Sequence, residues 1–163
     1  MRKGKYDNMK TIITGVDSSQ TALVAAEKAA ELAASFDAEL YVFSAYSINS
    51  AVAIQTAKSG NMATKTSEAY QRLANGQSAA AQEAADSVAA ILRNTWPKLQ
   101  VKSYAVEGQP AEVLVQQAKK LNADAIVVGN KKAQGFARIL GSISRNVAAE
   151  ATCDLYIVNT TGQ

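Results

Sequence analysis

The chain has 163 residues, enough for one domain with its own core, and 48% of them are apolar against 19% charged, the balance of a globular protein. Seventeen basic and fourteen acidic groups leave a net charge of +3, scattered along the chain, which argues against a dedicated nucleic-acid surface. There is no histidine and only one cysteine, so Ser-His-Asp and Cys-His chemistry, imidazole metal ligands, thiolate zinc clusters and internal disulfides are all excluded. The basic start Met1-Arg2-Lys3-Gly4-Lys5 lacks the apolar stretch of a signal peptide, and no run approaches a membrane span. Together these features point to the cytoplasm.

Residues 1–8 are polar and read as a flexible extension ahead of one domain over 9–163. Lys10–Val16 predicts the first strand. Ser18 or Ser19 caps the helix after it, where Leu23, Ala26, Ala30, Ala33 and Phe36 keep a helical period. Glu39–Ala45 alternates and is rich in β-formers, a second strand. Residues 46–65 lack periodicity and predict a long loop, followed by an Ala/Gln/Glu-rich helix from about Thr66 to Thr95, in which Asn75-Gly76 is a candidate break. Pro97 ends that helix, and Leu99–Ala105 predicts a weakly patterned third strand.

Gly108-Gln109-Pro110 opens the next helix, with proline in its first turn and a buried stripe of Ala111, Leu114, Val115, Ala118 and Leu121. Ala123–Gly129 is the fourth strand, a run of apolar, mostly β-branched residues ended by Gly129. Gly141-Ser142 opens a helix to about Ala151, and Asp154–Thr160 is the last strand. Regular strand–helix alternation predicts an α/β fold, a five-stranded open parallel sheet with helices on both faces. Ligands in such sheets bind beyond the carboxyl ends of the strands, where strand order reverses.

Two segments carry the chemistry. Strand four, the glycine turn and the Gly141-Ser142 helix start together predict a phosphate cradle, because free N–H groups and the helix dipole favour an anion. Ile12-Ile13-Thr14-Gly15-Val16-Asp17-Ser18-Ser19 repeats the grammar of strand, acidic turn and hydroxyl-capped helix. Each feature also has a plainer reading. Asp17 reads equally as a helix cap, Gly129 as a turn glycine, and Lys131, Lys132 and Arg138 as solvated surface charge. Cys153 reads most simply as a small apolar residue, Trp96 as an anchor for the end of the long helix, and the Met and Tyr residues as forming no stacking platform.

From Met9 to Thr161 the sequence resembles the universal stress protein family. The resemblance lies in Lys10–Ser19, in the G-x-P-A helix start at Val106-Glu107-Gly108-Gln109-Pro110-Ala111, and in the closing strand Cys153–Thr161. It implies the strand order 3-2-1-4-5 of a Rossmann-like sheet, and a homodimer formed through residues 155–160 together with a regulatory protein partner. The family's nucleotide-binding branch carries G-x2-G-x9-G-(S/T), ending in a hydroxyl residue two positions later. Here the motif is kept at Gly129, Gly141, Ser142 and Ser144. Lys132 stands where the second glycine belongs, and only the eight residues Ala133 to Leu140 precede Gly141.

The resemblance implies a stress-response module that binds an adenine nucleotide, ATP first and Mg2+ with it, across Gly15, Val16, Asp17, Ala45, Val128, Gly129, Lys132, Gly141, Ser142, Ile143 and Ser144. Ala45 and Val128 flank the adenine in that reading. Two alternatives stay open: a cyclic AMP or AMP binder, and a nucleotide-free dimeric scaffold. An enzyme reading rests on Thr14-Gly15-Val16-Asp17-Ser18, which partly resembles the S-G-G-x-D-S loop of ATP pyrophosphatase-type ligases but lacks its opening Ser-Gly. With no histidine and no base placed beside a nucleophile, at most slow ATP hydrolysis is expected.

Overall fold

The computed structural model describes residues 8–48, 63–130 and 140–160. The elements run β1 (Thr11–Gly15), α1 (Gln20–Phe36), β2 (Glu39–Tyr46), α2 (Ala63–Thr95), β3 (Val101–Glu107), α3 (Pro110–Leu121), β4 (Ala125–Asn130), α4 (Ser142–Glu150) and β5 (Asp154–Asn159). The five strands form one parallel sheet, as strand–helix alternation predicts, in the order β3-β2-β1-β4-β5 that the family resemblance implies. The order reverses between β1 and β4, so the carboxyl ends of these two strands open the crevice in which α/β proteins hold ligands.

Each face of the sheet carries a core. Ile12, Leu40, Val42, Ala125 and Val127 face α1 and α2, whereas Ile13, Phe43, Ile126 and Val128 face α3 and α4. Successive strand residues point to opposite faces, so an unbroken apolar run is what a sheet covered on both sides demands. Helix α1 buries Ala25, Ala26, Ala29, Ala30 and Ala33, and these short side chains let the helix lie close to the strands. Leu23 and Phe36 of the expected stripe pack at its margin. On α3, Val113 joins the expected stripe and Leu121 is only partly buried.

Two side chains fasten β1 to β4. Asp124 Oδ2 accepts from the N–H groups of Lys10 at 2.8 Å and Thr11 at 2.9 Å. The buried Thr14 hydroxyl donates to the Val127 carbonyl at 2.9 Å, which satisfies a polar group inside the core. Helices α1 and α3 both end in left-handed residues, Asp37 at φ 53° and Asn122 at φ 49°, whose N–H groups close the last turn.

Several expectations need correction. Helix α2 begins at Ala63 and runs unbroken through Asn75-Gly76. Both residues are exposed, so the solvent side of the helix absorbs a modest propensity cost of about 1 kcal/mol without loss of packing. Strand β3 begins two residues later than predicted, because Leu99 N–H closes a turn onto the Trp96 carbonyl. It extends to Glu107 because its pairing with β2 runs on to Tyr46. Tyr46 is thus in a strand and Ala63 in a helix, which shortens the loop expected over 46–65, and residues 49–62 lie outside the described segments. Lys131, Lys132, Gly135, Arg138 and residues 1–7 of the extension lie outside them too.

The tyrosines do stack. Tyr41, Phe43 and Tyr104 form a ladder of rings with centroids 5.9–6.3 Å apart. The Lys102 ammonium sits 5.0 Å from the Tyr41 centroid. The ladder arises because parallel pairing sets Phe43 opposite Tyr104, a contact between residues far apart in sequence.

Candidate functional site

A cavity of about 240 Å³ opens at the carboxyl ends of β1, β2 and β4. Its floor and walls come from Gly15, Val16, Phe43, Ala45, Val128 and Gly129, with Pro110, Val113 and Leu114 of α3 on one side. Asp17, Ser19, Thr21 and Ala22 lie at the start of α1, and Ile143 is supplied by the first turn of α4. Apolar walls with a few polar groups at one end are what a planar base with a polar tail requires.

The turn after β1 is built by its own side chains. Asp17 Oδ1 accepts from Ser19 N–H at 2.7 Å, and Ser19 Oγ accepts from Ala22 N–H at 3.2 Å. Ser19 is therefore the N-cap of α1, and Asp17 shapes the turn before it. Asp17 is exposed at the mouth of the cavity. Its second carboxylate oxygen accepts no bond from any described residue.

The glycines serve packing as well as access. A Cβ on Gly129 would meet Ala25 Cβ and Thr160 Cγ2, each at 3.2 Å, so a side chain there would require α1 or the segment just after β5 to give by a few tenths of an ångström. A Cβ on Gly15 would meet the Leu114 side chain at 3.1 Å, and Leu114 itself lines the cavity. These contacts give both glycines a reason that needs no ligand.

At the other rim, α4 starts at Gly141. The Gly141 N–H donates to Asn130 Oδ1 at 2.8 Å, tying the helix start to the end of β4. Ser144, 1% exposed, turns its hydroxyl inward to the Gly129 carbonyl at 3.3 Å. Arg145 N–H makes the first intrahelical bond, to Gly141. The N–H groups of Ser142, Ile143 and Ser144 therefore have no partner among the described residues, and Ser142 and Ile143 are exposed.

Of the residues singled out from the sequence, Gly15, Val16, Asp17, Ala45, Val128, Gly129 and Ile143 line the cavity. Gly141 and Ser142 sit at the helix start beyond it, Ser144 lies beneath it, and Lys132 is outside the described residues. Phe43, Pro110, Val113 and Leu114 were not singled out as site residues. Phe43 was within reach, since it stands two positions before Ala45 and so on the same face of β2. Nothing local marks Val113 and Leu114, which reach the site only because α3 packs over β1 and β2.

Among the described residues, no helix is long and apolar enough to cross a membrane, and no three His, Cys, Asp or Glu side chains gather to hold a metal ion. The cysteine thiol is free, and burial pushes its pKa upward.

The model of the Universal stress protein family matches residues 8–159, and the chain belongs to that family. It is 31% identical over 156 residues to universal stress protein Rv1636 of Mycobacterium tuberculosis, covering 93% of this chain and 97% of that one. A universal stress protein solved in complex with cAMP superimposes with a TM-score of 0.64 at 25% identity, covering 94% of this chain and 99% of its own. UspA of Lactobacillus plantarum shares the fold with a TM-score of 0.69 at 21% identity, covering 93% and 98%.

Proposed function

We propose that this protein binds an adenine nucleotide in the cavity at the ends of β1, β2 and β4 and works as a regulatory switch in stress response, without catalytic turnover. The observation that carries the reading is the cavity itself. Phe43, Val113, Leu114 and Val128 supply apolar walls for a base, Asp17 an acceptor for a ribose hydroxyl, and α4 three N–H groups for phosphate. Support also comes from the related universal stress protein whose solved complex holds cAMP. ATP is the ligand expected from the glycine pattern. Mg2+ bound with it would take its oxygen ligands from the phosphates and, through water, from Asp17.

In the same proposal the switch is a homodimer formed along β5, read by a protein partner yet to be identified, in the cytoplasm. The two sheet edges differ in a way that supports β5. The outward backbone groups of β3 are taken by α2: Gln82 Oε1 accepts from Ala105 N–H at 2.9 Å, its amide donates to the Ser103 carbonyl at 3.2 Å, and Arg93 donates to the Val101 carbonyl at 2.6 Å. Among the described residues nothing bonds to the outer edge of β5 at Leu155 and Ile157. Tyr156 and Ile157 are exposed beside it.

The test is calorimetry on nucleotide-stripped protein with ATP, ADP, AMP and cAMP. Saturable binding of at least one is expected, weakened about tenfold by Asp17→Ala through loss of a charge-assisted hydrogen bond. Phosphate release from ATP should not exceed the buffer blank. Binding of none of the four would leave the nucleotide-free scaffold as the reading.

A further inference from the structure

We propose that Asn130 is a specificity-determining residue of the nucleotide site, one that sets the site against long phosphate chains by occupying a donor that a phosphate would use. The inference rests on the nucleotide reading above and deepens it. Asn130 is the last residue of β4, and its side-chain carbonyl accepts from Gly141 N–H at 2.8 Å, across the rim where α4 begins. Its main-chain carbonyl is held from the other side by Thr160, through N–H at 3.3 Å and the hydroxyl at 3.1 Å. The backbone of Asn130 is thus fixed, and its amide stands at the mouth of the helix as an internal substitute for a phosphate oxygen.

A further observation agrees. Ser144, the second hydroxyl of the glycine-serine pattern, spends its hydroxyl proton on the Gly129 carbonyl and is 1% exposed, so that hydroxyl is not offered to a ligand. What the helix start leaves open is the set of N–H groups of Ser142 to Ser144, a fit for one phosphate group. A longer chain must displace Asn130 from Gly141. That exchange gives up a neutral hydrogen bond, whose net worth of about 1 kcal/mol corresponds to roughly a fivefold penalty.

The experiment measures the ATP-to-adenosine affinity ratio by calorimetry on the full chain at low salt, for wild type, Asn130→Ala and Asn130→Asp. Asn130→Ala frees Gly141 N–H and should raise the ratio about fivefold. Asn130→Asp keeps the acceptor and adds a negative charge, and should lower it about tenfold. In nitrogen-proton spectra the Gly141 amide should shift on ATP binding to wild type and exchange faster with solvent in Asn130→Ala. An unchanged or lower ratio in Asn130→Ala, with adenosine still bound, would make Asn130 a structural strut and overturn this inference alone. If Asn130→Ala fails to fold, an Asn130→Asp ratio equal to wild type overturns it. Wild-type protein that binds neither adenosine nor ATP overturns the nucleotide reading and this inference with it.

Discussion

Gly129 shows how one residue answers to two demands. It is the penultimate residue of β4, where the strand lines the cavity, and it is wedged between Ala25 of α1 and Thr160 beyond β5. Gly129→Val should therefore destabilise the fold by about 1–3 kcal/mol through overpacking, read as a lower urea midpoint with an unchanged slope. A full-stability Gly129→Val would show that α1 can withdraw, contrary to its alanine-lined contact. Cys153 makes a second residue-scale prediction. Desolvation raises its thiol pKa, with Asp154 and Asp124 adding to the shift. The folded value lies above that of a free thiol, so the neutral form is favoured, and any stability it contributes is complete below the free-thiol pKa and is lost as pH rises through the folded value. Disulfide-exchange reagent should label the native protein more slowly than the urea-unfolded chain at pH 8, and equal rates would contradict the burial.

At the scale of elements, the informative contrast is between the two edges of the sheet. Helix α2 lies along β3 and lends it the side chains of Gln82 and Arg93 as substitute partners, while Ser103 donates to Asp86 at 2.6 Å. Gln82→Ala should expose the Ala105 N–H and the Ser103 carbonyl together. The expected cost is about 1 kcal/mol, with concentration-dependent association in light scattering. The hydrogen bonds to Asp86 from Ser103 and then Gln82 hold its carboxyl below the ordinary carboxylate range. The native protein therefore binds fewer protons than the unfolded chain in acid. The contribution is present above the ordinary carboxylate pKa and is lost as pH falls through the depressed one. Wild type should melt above Asp86→Asn at pH 7, the gap closing toward pH 2. A gap constant with pH would assign the effect to something other than the carboxylate.

For the whole molecule, the prediction concerns assembly. If β5 is the interface, Ile157→Lys places a charge on the exposed edge and should shift the protein from dimer to monomer in light scattering, leaving helical content unchanged. A monomeric wild type at micromolar concentration would remove the dimer from the proposal. A monomer–dimer balance untouched by Ile157→Lys would move the interface elsewhere.

The run Ala125-Ile126-Val127-Val128 could be read as a buried strand because β-branched apolar residues on both faces have no other stable place, and strand–helix alternation then leaves an open parallel sheet as the fold. Asp17 and Gly129 could be placed at the rim of the cavity for the same reason, since once the strands are known their carboxyl ends are known, whereas Ala45 was singled out by the family resemblance; all three line the cavity. Local pattern could not say whether Asn75-Gly76 breaks α2, since that depends on which side of the helix faces water. Nor could it bring Tyr104 beside Phe43, Leu114 over Gly15 or Asn130 onto Gly141, because each of these contacts joins elements distant in sequence. The sequence by itself determined the strands, the helices and the end of the sheet where a ligand would sit, through periodicity and the chirality of crossovers. Only the tertiary structure decided which walls close the cavity and which donors at its rim are already spent, because hydrogen bonds and van der Waals contacts act over a few ångströms in space, whatever the separation along the chain.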